Sequence, residues 1–231
     1  MLIAPQIIFG AACTWTGTTS TVWTDPTNWS GCGGVVPAAA DTVTINATTN
    51  QPTLAVNTSV AGLTLSGGAT LTIPTPVTLA VTGDVNNSAI ITGTGTLAFS
   101  GATFGNYGTV AVSQTNFSGP AQAMGGGGEW TGAISILAGS TTTFNTYANF
   151  QGNLTIASGA TGWIGNNYPN LRTATGASSG PVLTINGTLS SSSGYSFEIW
   201  GDATYPPTVA GNGTMNGPVR FRGGALSLIH I

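Results

Sequence analysis

Short runs in which apolar and polar residues alternate recur along almost the whole chain, and they set the limits on what it can fold into. Val43/Ile45, Leu54/Val56, Leu63/Leu65, Leu71/Ile73, Val77/Leu79/Val81, Leu97/Phe99, Val110/Val112, Ile134/Ile136, Leu154/Ile156, Leu183/Ile185 and Phe197/Ile199 place apolar side chains at i and i+2, with Thr, Ser, Ala or Glu between them. A period of two puts successive side chains on opposite faces of a strand, so each run predicts one buried and one solvated face. Gly-Gly, Asn-Asn, Thr-Gly and Asn-Gly corners punctuate the runs and supply positive φ at low steric cost. No sustained 3.6-residue periodicity competes with them. The chain therefore reads as all-β, either a sandwich or a solenoid.

Two features favour the solenoid. Related phrases recur, as in Ser66-Gly-Gly-Ala-Thr-Leu-Thr-Ile73, Gly93-Thr-Gly-Thr-Leu-Ala-Phe99, Ala157-Ser-Gly-Ala-Thr-Gly-Trp163, Ile185-Asn-Gly-Thr-Leu189 and Ala210-Gly-Asn-Gly-Thr-Met215. The intervals Leu63 to Val85 and Val77 to Phe99 predict coils of about 20 residues. Inward Leu, Val, Ile and Phe would then form columns along the axis, with small polar residues outside. Gly125-Gly-Gly-Gly128 and residues 165–181 read as loops extruded from the coils.

Such a body needs few ions, and few are present. Of 231 residues only 4% are charged; there is no lysine, and the basic side chains are Arg172, Arg220, Arg222 and His230. Three scattered arginines cannot neutralise a run of phosphates, so nucleic acid is excluded as a partner. The shortage of Glu, Lys, Gln and Arg excludes a helical bundle, and the glycines keep no three-residue period for collagen. Acid–base chemistry is starved of reagents. Gly125–Gly128 lacks the lysine and the strand–helix setting of a phosphate loop, and no cofactor is expected.

Residues 13–41 form an aromatic-rich opening with Trp15, Trp23 and Trp29, flanked by Cys13 and Cys32. In an exported protein these cysteines most simply form a disulfide; in a cytosolic one they would be two free thiols. Without a nearby histidine they are not a zinc site. Residues 1–12 are apolar but too short to span a bilayer as a helix. They read either as a truncated secretory signal, cleavable after Gly10-Ala11-Ala12, or as an arbitrary start within a longer frame. Residues 226–231 match the translation of a sequencing adapter, so the native part of this sequence is expected to end near Ala225, inside a solenoid that continues in the full protein; the alternative is an ordinary final strand.

The combination of Cys13-Thr-Trp-Thr-Gly17, Asn28-Trp29, Cys32, Pro37 and Asp41-Thr-Val43 with Gly62-Leu-Thr-Leu65 and Ala69-Thr-Leu-Thr-Ile73 resembles the start of large bacterial surface β-helix proteins, including autotransporter-like passengers. The resemblance covers residues 13–73. It implies an N-terminal cap over 13–41 running into a right-handed parallel β-helix over 42–225. It further implies export, display at the cell surface and adhesion to glycans or to host or abiotic surfaces. It carries no catalytic motif.

The residues offer one candidate site. Glu198, Trp200 and Asp202 fall at i, i+2 and i+4 and would share a strand face, with Tyr205 close behind. Two carboxylates beside an indole suit a sugar, and a carbohydrate-binding or polysaccharide-degrading β-helix is the alternative to a structural adhesin. The same segment also reads as a solvated face with one half-exposed tryptophan. Asp25-Pro-Thr-Asn28 and Asp84-Val-Asn-Asn87 read as Asx turns rather than calcium loops, and Asp41 is expected to fix the turn into the first strand. Arg220 and Arg222 share one strand face and would discourage strand addition at an edge. Thr-x-Thr pairs at 42/44, 70/72 and 92/94/96 are the raw material for a flat ice- or crystal-binding array, though their unequal spacing does not ensure one.

Overall fold

In the computed structural model, described for residues 10–192, 194–201 and 204–223, the chain is a parallel β-solenoid of about nine turns. The described residues contain no α-helix, only a 3₁₀ turn at Pro26–Asn28. Residues 1–9 and 224–231, including His230 and the adapter-like tail, lie outside the described residues, as does Asp202.

Each coil has three faces. In the second coil they are the strands Gly62–Leu65, Thr70–Thr72 and Thr78–Val81; we call the corresponding stacks faces A, B and C. The long strands Ile90–Phe99 and Thr109–Phe117 run without interruption across both B and C, bending where the register shifts between Val112 and Gln114. Parallel pairing joins every coil to the next, so the backbone groups of the interior coils are satisfied without ions.

The interior columns follow from the alternation. On face A, Val43, Leu63, Val85, Phe104, Met124, Phe144 and Ile164 are stacked in register. On face B the column runs Leu71, Ile91, Val110, Trp130, Phe150, Leu171, Ile199 and Phe221. On face C, Val60, Val81, Phe99, Phe117, Ile136, Ile156 and Ile185 stack beside Leu79, Leu97, Thr115, Ile134, Leu154, Leu183 and Val209. The faces meet where Phe104 packs against Phe99, Phe117 and Trp130, with ring centroids 5.2, 5.9 and 4.9 Å away.

Several expectations need correction. Of the alternating runs, 54–56 is not a regular strand: Leu54 is buried, but Val56 is 54% exposed on a loop. The interval Leu63 to Val85 is a true coil repeat, whereas Phe99 pairs with Val81 and not with Val77, because the corner at Pro74-Thr-Pro76 uses fewer residues in the next coil. Gly125–Gly128 is a tight corner between the strands Gln122–Gly125 and Glu129–Trp130, not an extruded loop. Within 165–181, Asn170–Arg172 is a face B strand. The Thr-x-Thr pairs do not build one array: 42/44 lie on face A and 70/72 on face B, while 92 and 96 lie on faces B and C. Face A instead carries Thr141, Thr161, Thr188 and Thr214 in consecutive register.

At the head of the solenoid, Ala12–Trp15 joins face A in parallel with Thr42–Ile45, and the two-residue strand Trp29–Ser30 closes that edge in antiparallel sense. So short an edge offers little template for foreign strands. Trp29 lies edge-on to Trp15 and Trp23, at 5.0 and 4.6 Å, and its Nε1 donates to the Trp23 carbonyl at 2.7 Å. Cys13 and Cys32 form a disulfide. Asp41 fixes the entry to the first full coil, accepting from the backbone N–H of Ala11 at 2.6 Å and of Ala38 at 2.7 Å. At the corner between faces A and B, buried Asn87 donates to Asn106 Oδ1 at 2.8 Å, and Asn106 donates to the Glu129 carbonyl at 3.1 Å. This amide ladder buries its side-chain polar groups with partners, linking successive coils at the corner.

Close stacking makes some corner glycines obligatory. A Cβ on Gly132 would overlap the Val112 carbonyl oxygen of the preceding coil, whereas a Cβ on Gly125 would meet open space. Gly132→Ala is expected to cost about 1–3 kcal/mol and Gly125→Ala almost nothing. Thermal midpoints of the two variants check this, at roughly 2–4 °C per kcal/mol for a chain of this length.

Candidate functional site

The charged side chains that the sequence scatters are gathered by the fold. All three arginines, with Glu129 and Glu198, lie on the outer surface of face B over its last coils. One outward column runs Glu129, Asn149, Asn170, Glu198 and Arg220, and beside it runs Arg172, Trp200 and Arg222. In this fold it is the in-register stack that brings together residues 24 and 43 positions apart.

Two ion pairs brace this surface. Arg172 Nη2 meets Glu129 Oε1 at 2.8 Å, both partly exposed, so the pair is worth about 1 kcal/mol at most. Arg222 donates from both Nε and Nη2 to Glu198 Oε1, each at 2.8 Å. Glu198 Oε2 accepts the Trp200 indole N–H at 3.1 Å. Glu198 is therefore not part of a solvated face: it is only 6% exposed, while Trp200 stays 45% exposed. With both oxygens already accepting hydrogen bonds, Glu198 is arranged as a fixed acceptor that orients Arg222 and Trp200. The Arg222 guanidinium lies 5.8 Å from the Trp200 ring centroid and that of Arg220 lies 5.3 Å from the Tyr168 centroid. The two arginines thus cover aromatic rings, a role beyond discouraging edge pairing.

Beside Arg172 a cleft of about 300 Å³ is lined by Glu129, Gln151, Arg172, Thr173, Ala174 and Thr175. Thr173 Oγ1 donates to the Tyr205 carbonyl, which brings the loop after Arg172 against the loop after Trp200. Of the residues expected to form a site, Glu198 and Trp200 are together and Tyr205 borders the same region. Sequence reading missed Glu129, Gln151 and Arg172. Glu129 and Arg172 lie 43 residues apart, and the one signal that could pair them was the coil length of about 20 residues.

The two Asp-Asn segments behave differently from one another. Asp25 caps the 3₁₀ turn, accepting from Thr27 N at 3.0 Å and Thr27 Oγ1 at 2.6 Å, and these bonds hold its carboxyl below the usual aspartate value. Asp84 does not close an Asx turn; it reaches to the next coil and accepts from Thr103 N at 2.9 Å. Among the described residues, no three His, Cys, Asp or Glu side chains converge as a metal-binding group, and no helix is long and apolar enough to cross a membrane.

Fold and surface together define a disulfide-bearing β-solenoid whose ion pairs, among the described residues, lie on face B. Residues 14–118 match the model of a domain of unknown function, DUF8693. The match takes in the opening segment and the coils up to the end of the strand Thr109–Phe117, and the arginine-bearing surface lies beyond it. No curated protein and no solved structure matches the chain.

Proposed function

We propose that this chain is a non-enzymatic structural module of an exported bacterial surface protein, an adhesin-like rod in the manner of autotransporter passengers. The observation that carries this reading is the outer surface of the solenoid. Away from the ion-paired face B, outward columns are uncharged and small: Thr14, Thr44, Thr64 and Asn86 on face A, and Asn116, Ser135, Thr155 and Thr184 on face C. A rod with such a skin makes many weak hydrogen bonds and few ionic ones. The Cys13–Cys32 disulfide accords with an oxidising, extracellular setting.

This role predicts a particular salt response. Ionic contacts between exposed groups are screened over about 10 Å at 0.1 M salt, whereas hydroxyl and amide contacts are not. Beads coated with the purified chain are expected to adhere to glycan-coated or plastic surfaces with less than about a twofold change between low and high salt. A steep loss of adhesion with added sodium chloride, or no adhesion above uncoated beads, would overturn the proposal.

A further inference from the structure

We infer that the face B surface formed by Arg172, Trp200 and Arg222, with the cleft beside Arg172, binds a segment of neutral oligosaccharide. The inference stands apart from the display role above, because a soluble ligand can bind whether or not the rod adheres to a surface.

Three observations point to a sugar. The Trp200 indole is tethered at Nε1 by Glu198 and, with the Arg222 guanidinium over its ring, is still 45% exposed, so the surface left open is held in place for the C–H groups of a pyranose. Arg172 and Arg222 are each fixed to a carboxylate, which sets guanidinium donors beside the partly exposed Glu129 acceptor, while the buried Glu198 serves to hold Arg222 in place. Hydroxyl groups, which donate and accept at once, match that alternation. The cleft of about 300 Å³ adds the Gln151 amide and the Thr173 and Thr175 hydroxyls, and it is about the size of a small ligand site.

The charges identify the kind of sugar. Glu129 and Glu198 offset Arg172 and Arg222, which leaves Arg220 over Tyr168 as the one guanidinium of this face without a carboxylate among the described residues, so a polyanion must displace a carboxylate to reach either of the other two. The geometry gives the direction. Arg172, Trp200 and Arg222 sit on consecutive coils, spanning about 10 Å along the axis. A ligand touching all three lies lengthwise along the rod.

The test is isothermal titration of the intact chain with cellohexaose, xylohexaose, mannohexaose and laminarihexaose, and with a galacturonic acid hexamer as the anionic comparator. Saturable binding of at least one neutral hexamer is expected. Trp200→Ala should weaken it about tenfold or more, and Trp200→Phe by only a fewfold. Trp163→Ala, which removes an exposed indole on face A, should leave it unchanged. Circular dichroism of each variant separates lost binding from lost fold, and the phenylalanine variant keeps the test decisive if the alanine variant unfolds. Absence of binding by every neutral hexamer at millimolar concentration overturns the inference. So does full binding by Trp200→Ala, or tighter binding of the galacturonate hexamer than of any neutral one.

Discussion

Phe104→Ala is expected to remove about 3–5 kcal/mol of stability. Phe104 is the face A member of a cluster to which face B contributes Trp130 and face C contributes Phe99 and Phe117. It is fully buried and its ring contacts all three partners. Truncation therefore opens a cavity that no single neighbour can close, since each is fixed in its own column. In a stacked array, stability is nearly a sum of local terms and of the contacts between adjacent repeats. The damage should be centred on residues 85–136 and fade with distance along the axis. Hydrogen exchange on the variant checks both points: amides of the coils around Phe104 should lose most protection, and those of the strands Thr42–Ile45 and Val182–Ile185 least. Uniform loss along the rod would mean that the solenoid unfolds as one cooperative unit.

Removing the Cys13–Cys32 bond is the second large effect. The bond closes a loop of about 20 residues, for which the chain-entropy model gives about 3 kcal/mol. It ties the first face A strand to the segment that carries Trp29, so its loss should also free the tryptophan packing at that end. The double variant Cys13→Ser/Cys32→Ser, unfolded in urea beside the wild type, is expected to show a first transition at lower urea, reported by tryptophan fluorescence. Reduction of the wild type should reproduce it. An unchanged transition in both would show that the cap holds through the ring contacts of Trp15, Trp23 and Trp29 alone.

What could be read from the residues was what depends on neighbours in sequence. Alternation identified the strands Val182–Ile185 and Ala133–Ile136 because a strand's inward set repeats every second residue wherever it lies. The same rule misplaced Val56, since an apolar side chain at i+2 of a loop has the same spelling as one on a strand. Coil length was legible where corners are equal, as from Leu63 to Val85, and failed at Val77, where the cost of a corner in residues changes from one coil to the next. The candidate site was half legible for the same reason. Glu198 and Trp200 lie two apart on one strand. Glu129 and Arg172 belong to coils separated by another coil, and their meeting depends on the register of every strand between. Asn87 read as part of a turn; that its amide donates to Asn106 of the next coil inside the corner is a fact of stacking.

The later coils are longer than the earlier ones and still pair in parallel register, although on face A the apolar column passes from Phe144 and Ile164 to Leu189 and Met215, two positions along. Phe144 and Ile164 pair across 20 positions, while Leu189 and Met215 pair across 26, and the surplus passes into the outer loops, such as those next to the cleft. Doubling a flexible excursion of this kind costs only about 0.6 kcal/mol in closure entropy. The architecture thus separates two kinds of heredity: interior positions are copied from coil to coil under tight geometric control, while the excursions are free to be rewritten. New recognition chemistry can enter such a lineage by lengthening a single bend, with no renegotiation of the scaffold that carries it.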